Sequence, residues 1–488
     1  MDETAPASAG TLARSPELDR SRRSFALVAV TALVAVLSGV VPATLIASVP
    51  DVGRTTAWGF TLALVVWGGL RLSLLCVAGK PRLFDFFFWL FTYIFIGIAP
   101  TVQMRSGQLS STTPGIDPAL DLPTALLVTL GVVMYEVARA VWISRERRLS
   151  TTRPEHHPAV TPVSGKRAAI LVVAGMLASA YFLSKIGPAV LLGSRNGAFQ
   201  AREAVWPDPA IRSIMYASAI YPLLVGAGAL AQLARTGQTL RQRRAARNGL
   251  IVAVVVILLI VNPVASARYT FGTVAFALAV YAGAMINRHR TRITLVATIF
   301  AFLFVFPLAD AFRGSQVQSS RNGFYGEYVS ADYDAFWQVA NAFSYWLDGL
   351  VVPLNQLLGS LLFWVPRSIW PGKPVDTGIL LAQYRGYFFD NLSAPLWAEA
   401  IVNGGVIGLI VAFLLLGIAL RWMDTRLIPA FAKGGTWAIV GSIFPVYMTI
   451  LLRGSLLQAT GAMAISALCV AFVRMPRRDG ETHVRQRE

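Results

Sequence analysis

The sequence predicts an all-α membrane protein with about 12 transmembrane helices and one long outer loop. Of its 488 residues, 55% are hydrophobic and only 14% are charged, and the mean hydropathy is +0.58. These values lie outside the range of soluble globular proteins. Backbone groups in lipid must be hydrogen-bonded within their own segment, so apolar stretches of about 20 residues are expected to be membrane-crossing helices.

Twelve stretches meet this requirement and make up a single transmembrane domain over 24–473. The segments 1–23 and 474–488 are polar and are predicted to be cytoplasmic tails, the first of them disordered. No small-residue cleavage site follows the first apolar run, so we interpret that run as a retained helix and not as a signal peptide. The predicted helices lie at 24–49, 56–78, 83–103, 122–143, 168–186, 213–235, 249–265, 269–287, 293–312, 397–422, 437–452 and 455–473.

The basic residues predict the orientation of this domain. If the N-terminus is cytoplasmic, 28 lysines and arginines fall on inside segments and 12 on outside segments. Basic residues are enriched in cytoplasmic loops, so this bias places both termini inside. The net charge of +18 is therefore mostly a topology signal, and nucleic acid is not an expected partner.

The outer loop 313–396 is the exception to a pattern of short connections. Its stretch 335–364 is apolar enough to resemble a membrane span, but a crossing there would put the basic C-terminal tail outside. We therefore expect one or two interfacial or re-entrant helices packed at the outer face. Indole combines an apolar body with a polar donor and suits the membrane interface, as expected here for Trp337, Trp346, Trp364 and Trp370.

Several arginines lie on predicted outer segments, where topology does not require them. A guanidinium group is always charged and can form two parallel hydrogen bonds to phosphate oxygens, so a cluster at the outer membrane edge would hold a diphosphate. Alternatively, they reach toward lipid headgroups or pair with Asp310, Asp332 or Glu399. The candidates are Arg195, Arg202, Arg268, Arg313, Arg367, Arg385 and Arg453.

Among the outer carboxylates, Glu399 is the first candidate for a general base. It lies near the outer end of the helix predicted at 397–422, where a carboxylate removed from water accepts a proton readily. Asp376 and Asp310 are the rivals, and a structural ion pair is the alternative role for Glu399. Asp332 and Asp334 have DxD spacing, which is too common to predict a metal site.

No cofactor or metal is expected. The four histidines lie on inside segments, and the two cysteines lie in apolar spans, which argues against a thiolate site. The chain has no phosphate-binding loop, dinucleotide fingerprint or metalloprotease motif. Any reaction must therefore start from a substrate that is already activated.

Three blocks of sequence resemble a known family. They are NPVASARYTFGTVAF, FPLADAFRG, and the longer block SLLFWVPRSIWPGKPVDTGILLAQYRGYFFDNLSAPLWAEAIVNGGVIG. They are similar to segments of bacterial oligosaccharide repeat-unit polymerases, the Wzy-type polymerases of O-antigen and capsule. The resemblance covers roughly 250–410, and the N-terminal half matches in hydropathy and in the arginine segment 195–203.

The resemblance implies an inverting, metal-independent glycosyltransferase on the outer face of the bacterial cytoplasmic membrane. Such an enzyme moves a growing glycan from undecaprenyl diphosphate to the next lipid-linked repeat unit. A chain-length regulator and a flippase are candidate partners, besides the lipid bilayer.

The matching blocks also suggest roles for residues. They contain Arg268, Arg313, Arg367 and Arg385 as diphosphate ligands, Asp376 and Glu399 as possible bases, and Trp370, Tyr384 and Tyr387 as rings that stack on sugars. Arg195, Arg202 and Arg453 are added because of their predicted side and spacing.

Three alternatives remain open. A lipid-linked oligosaccharide flippase or secondary transporter would share the helix count, but its spans should contain more charges than Arg71, Asp85, Glu136 and Arg139. A related glycosyltransferase would differ only in its acceptor. A non-enzymatic assembly protein is the third. The related ligases use an external histidine, which this sequence lacks.

Overall fold

The computed structural model describes residues 27–150, 161–308, 323–390 and 392–475. Over these residues the chain is helical, and its one β-type contact is an isolated bridge between Val163 and Arg474. In chain order the helices are α1 (Leu27–Ser48), α2 (Trp58–Ala78), α3 (Leu83–Ser106), α4 (Asp121–Ser150), α5 (Gly165–Ile186), α6 (Arg195–Val205), α7 (Pro209–Thr236), α8 (Leu240–Ile260), α9 (Arg268–Ala282), α10 (Arg288–Phe300), α11 (Ala335–Leu347), α12 (Asn355–Leu361), α13 (Thr377–Arg385), α14 (Leu396–Lys433), α15 (Thr436–Arg453) and α16 (Leu456–Val473).

The predicted class, an all-α polytopic membrane protein, is confirmed. In the described ranges, nine helices are long and apolar enough to cross a membrane, namely α1–α5, α7 and α14–α16. The other three predicted spans, 249–265, 269–287 and 293–312, each contain a helix that does not meet that criterion, and 309–312 lies outside the described residues. Helix α9 has only 15 residues, and the first turns of α8 and α10 are rich in arginine.

The connections between helices lie alternately at two ends of the bundle. At one end, the Val52 N–H donates to the Arg105 carbonyl oxygen over 2.9 Å, which joins the α1–α2 and α3–α4 connections. At the other end, the Thr436 N–H donates to the Thr161 carbonyl oxygen over 3.0 Å. We call these the arginine-poor and arginine-rich ends, since their connections match the predicted outside and inside segments.

The apolar stretch 335–364 does not cross the bundle, as predicted. The Ser393 N–H donates to Asp334 Oδ2 over 3.2 Å, so the chain leaves and returns at the arginine-poor end. Helix α11 inserts its first eight residues into the core. Trp337 is fully buried there and donates to Gln103, so the interfacial position predicted for it is wrong. By contrast, Trp364 is 62% exposed.

The charges within the spans form one closed network. Arg71 lies 2.9 Å from Glu136 and 3.3 Å from Asp85, and Arg139 lies 2.7 Å from Glu136. Asp424 of α14 accepts hydrogen bonds from two backbone N–H groups at the start of α3, both over 3.0 Å. Charges in a membrane are stable only when they are paired or hydrogen-bonded. The ion pairs join α2, α3 and α4, and the hydrogen bonds of Asp424 join α14 to α3.

The hydrophobic core has two parts. The first surrounds α3, in which all nine residues of Leu83–Phe91 are buried. The second surrounds α7 and is completed by α5, α8, α15 and α16. Both parts reach the arginine-poor end, where the described residues 323–390 lie over them.

A backbone break in α14 gives a test of the fold. Gly405 has a φ of +60°, and a Cβ there would overlap the indole nitrogen of Trp346. We expect Gly405→Ala to lower the free energy of unfolding by about 2 kcal/mol, measured by unfolding in detergent. Gly404→Ala is the matched control, because a Cβ at Gly404 meets no atom and its φ of −168° is ordinary extended backbone. Equal losses in the two variants would contradict this explanation.

Candidate functional site

The turn between α15 and α16 brings the predicted carboxylates together. Glu399, in the first turn of α14, is 1% exposed. Its Oε1 accepts from the Leu456 N–H and its Oε2 from the Thr377 hydroxyl, both over 2.9 Å. Three helix starts, those of α13, α14 and α16, are therefore joined at one buried carboxyl group.

Asp376 lies beside this carboxyl group as the N-cap of α13. Its Oδ1 accepts from the Gly378 N–H over 2.8 Å, and its Oδ2 is buried without a hydrogen bond. Asp376 and Glu399 are close enough for their charges to interact. Burial raises the pKa of Asp376 to about 6, and the hydrogen bond from Gly378 opposes that rise.

Two predicted arginines meet at a third carboxylate, Asp332. Arg268 Nη1 lies 3.2 Å from Asp332 Oδ2, and Arg453 Nη2 lies 3.4 Å from Asp332 Oδ1 and 3.6 Å from Asp334 Oδ1. All four side chains are largely or fully buried, with Asp334 only 1% exposed. The structure thus favours the alternative in which Arg268 and Arg453 pair with aspartates, and it gives the DxD pair a role as arginine partner.

A cleft of about 190 Å³ opens at the arginine-poor end between α7, α9, α15 and α16. Arg202 lies over the Tyr216 ring, 4.7 Å from its centroid, and that ring lines the cleft. Ser455, which also lines it, adjoins both carboxyl groups. The lining residues are Ser213, Tyr216, Ala217, Ile220, Tyr221, Thr270, Tyr447, Ile450, Gly454, Ser455, Gln458, Ala459 and Ala462.

Arg385 and Tyr387 lie elsewhere. Arg385 Nε donates to Asn341 Oδ1 over 2.7 Å, and its Nη2 donates to Ser344 Oγ over 3.2 Å, so it is held against α11. The Tyr387 hydroxyl donates to the Pro114 carbonyl oxygen over 2.9 Å. Neither residue lines the cleft, so the described arginines of the predicted cluster do not all meet at one place.

The remaining candidates are more exposed. Arg367 is exposed and donates to the carbonyl oxygens of Lys373 and Pro374, which stabilises its own loop. Arg195 is exposed on α6, and Trp370 is half-buried. Arg313 lies outside the described residues.

Thr377 and Ser455 are the site residues that sequence reasoning missed. Thr377 directly follows Asp376 in the string VDTG and begins α13. Ser455 comes two residues after Arg453 in the string LLRGS and is the N-cap of α16. A hydroxyl at a helix start is common for capping alone, so this position did not point to a site. Only the packing of three helix starts shows that both hydroxyls lie beside carboxyl groups.

The raised pKa of Asp376 predicts a pH-dependent stability. The folded state binds more protons than the unfolded state between about pH 4 and pH 6, so stability falls as pH rises through that window. Above it, the buried anion costs about 3 kcal/mol. We expect Asp376→Asn, which keeps the N-cap oxygen, to unfold at a higher temperature than the wild type at pH 7, and the difference to shrink toward pH 4. Asp208→Asn, at the exposed N-cap of α7, is the control, and a constant difference in Asp376→Asn across this range would refute the assignment.

Within the described ranges, no three histidine, cysteine, aspartate or glutamate side chains converge to hold a metal ion. No protein-family model, curated protein or solved structure matches the chain. Its function must therefore be argued from the site.

Proposed function

We propose that this protein is a membrane glycosyltransferase that polymerises undecaprenyl-diphosphate-linked oligosaccharide repeat units on the outer face of the bacterial cytoplasmic membrane. The observation that supports this most is the pair of buried carboxyl groups, Asp376 and Glu399, beside a cleft at the arginine-poor end of the bundle. That end carries the segments predicted to lie outside. A base next to an open cleft is what activation of a sugar hydroxyl requires.

Asp376 is the better candidate for the base. Both oxygens of Glu399 already accept hydrogen bonds, whereas Asp376 Oδ2 accepts none. A raised pKa near 6 lets Asp376 be ionised at neutral pH and still bind a proton during the reaction. The like charge of Asp390 also raises the pKa of Asp376 and so increases its affinity for that proton.

The cations near the cleft suit a diphosphate leaving group. Arg202 contacts a ring that lines the cleft, and no ion pair within the described part of the chain engages it. Arg453 precedes Gly454, which lines the cleft, and its guanidinium is held by Asp332 and Asp334 with 20% of the side chain exposed. Fixed positive groups stabilise charge that develops on a leaving group, and this leaving group needs no nucleotide for activation.

A deletion strain tests the proposal. Loss of a polymerase should leave surface glycans with a single repeat unit and lipid-linked single repeats on the outer face of the membrane. Purified protein in liposomes should convert the same lipid-linked repeats into a ladder of longer products. Accumulation of repeats on the inner face would identify a flippase instead, and an unchanged ladder in the deletion strain would exclude both functions.

A further inference from the structure

The two buried carboxyl groups cannot reach a substrate in the cleft directly. Asp376 is 6% exposed and Glu399 is 1% exposed, and neither lines the cleft. A general base must come within hydrogen-bond reach of the proton it removes, either directly or through one intervening group. The proposed function therefore needs a group that contacts both the cleft and the carboxyl pair.

Ser455 is positioned to be that group. It lines the cleft, it is 2% exposed, and its hydroxyl is close to both Asp376 and Glu399, where it helps to hold down the pKa of Asp376. Its Oγ and the Oδ2 of Asp376 are both buried, and neither makes a hydrogen bond of normal length and angle. The two atoms thus have unused hydrogen-bonding capacity at the same place.

A serine hydroxyl with no hydrogen-bond partner is unusual at the position that Ser455 occupies in the chain. Ser455 is the N-cap of α16, where a serine hydroxyl normally accepts a hydrogen bond from a backbone N–H of the first turn. Here it caps nothing, so the serine hydroxyl is available. The Leu456 N–H, which precedes the donors that an N-cap serine usually binds, donates to Glu399 and brings that carboxyl group to the start of α16.

Resting on the proposed function, we infer that Ser455 is a catalytic residue that relays a proton from the acceptor sugar hydroxyl in the cleft to Asp376. The acceptor hydroxyl gives its proton to Ser455 Oγ as the Ser455 proton passes to Asp376 Oδ2. The acceptor oxygen forms its bond to the anomeric carbon of the donor, and the bond from that carbon to the diphosphate breaks. The diphosphate leaves with the electron pair, and Asp376 later releases its proton to water.

Another hydroxyl in the cleft is already engaged. The Tyr447 hydroxyl donates to the Ala459 carbonyl oxygen over 2.7 Å and would have to break this bond to pass its own proton to a carboxylate. It is also not among the groups that act on Asp376, whereas Ser455 is. Of these two hydroxyls, Ser455 is therefore the one placed to pass a proton to Asp376.

The test uses the full-length protein in liposomes with a purified lipid-linked repeat unit. We expect Ser455→Ala to lower kcat about 100-fold and to change KM less than about twofold, because the relay acts on the chemical step. Ser455→Thr keeps a hydroxyl and should retain most of kcat. Ser466→Ala is the matched control, since Ser466 is a buried serine of the same helix whose hydroxyl also lacks a hydrogen bond, and it should behave as the wild type.

The outcomes separate the relay from the proposed function. A wild-type protein that makes no polymer from the lipid-linked repeat would refute the proposed function. An active wild type with a Ser455→Ala kcat within about threefold of it would overturn the relay alone. If Ser455→Ala unfolds at a lower temperature than Ser466→Ala, the kcat of Ser455→Cys is measured in its place, because cysteine keeps the side-chain volume. A kcat for Ser455→Cys equal to that of the wild type and of Ser455→Thr would also overturn the relay, because a thiol is a poor hydrogen-bonding substitute for a hydroxyl.

Discussion

Replacing Asp376 with asparagine is expected to lower the rate of repeat-unit polymerisation about 1,000-fold, while the protein remains folded. Asparagine keeps the oxygen that accepts from the Gly378 N–H, so the start of α13 should be preserved. It removes the atom that would take the proton, because the amide nitrogen replaces one carboxylate oxygen. The same variant should be more stable than the wild type at pH 7, so a loss of activity cannot be attributed to unfolding.

Glu399→Gln is the matched comparison. Its rate of polymerisation should fall only about tenfold, the factor that corresponds to one unit of pKa. Its amide oxygen can accept from the Leu456 N–H, and its amide nitrogen can donate to the Thr377 hydroxyl, which can turn to accept. The polymerisation rates of the two purified variants in liposomes are compared to measure this difference. A Glu399→Gln variant with less activity than Asp376→Asn would reverse the two roles.

Replacing Arg453 with alanine is expected to lower the free energy of unfolding by about 3–5 kcal/mol, because Asp334 would be left buried without its cationic partner. The change also removes the hydrogen bond of 2.9 Å from Arg453 Nε to the Asp332 carbonyl oxygen. Arg268 remains on the other side of Asp332 but makes no ion pair with Asp334 among the described contacts. Chemical or thermal unfolding in detergent measures the loss.

Arg212→Ala is the matched control for Arg453→Ala. Arg212 pairs with Glu203 over 2.8 Å, but Glu203 is 51% exposed, so the loss should stay below about 1 kcal/mol. Adding Asp334→Asn to Arg453→Ala should restore part of the stability, since the uncompensated charge is then removed. If Arg453→Ala and Arg212→Ala unfold alike, the cluster around Asp332 is not a source of stability.

The spans were predictable because each is set by its own composition. The prediction 56–78 became Trp58–Ala78, and 455–473 became Leu456–Val473. The limits of the spans are less predictable where a helix begins with charged residues. Helix α8 is an example, since three of its first five residues, LRQRR, are arginine. Such a helix extends beyond its apolar part, so its length and the length of its possible span differ.

The site was predictable in its residue types and less so in its contacts. Glu399 was expected to be near the membrane edge, and Asp376 in the outer loop, because of their positions along the chain. Their contact through Thr377 and Ser455 depends on how three helices pack, and no local pattern encodes it. The same holds for Arg268 and Arg453, which are far apart in sequence and meet only because both reach Asp332.

The sharing of Asp332 by two arginines has a mechanical consequence. Arg268 begins α9 and Arg453 ends α15, so one carboxylate clamps two of the four helices that surround the cleft. Helix α7, on the opposite side, faces α15 with apolar and aromatic contacts such as Tyr221 against Tyr447. Such contacts slide at lower cost than ion pairs break. We therefore expect the cleft to widen for a bulky ligand by displacement of α7, while α9 and α15 stay in place.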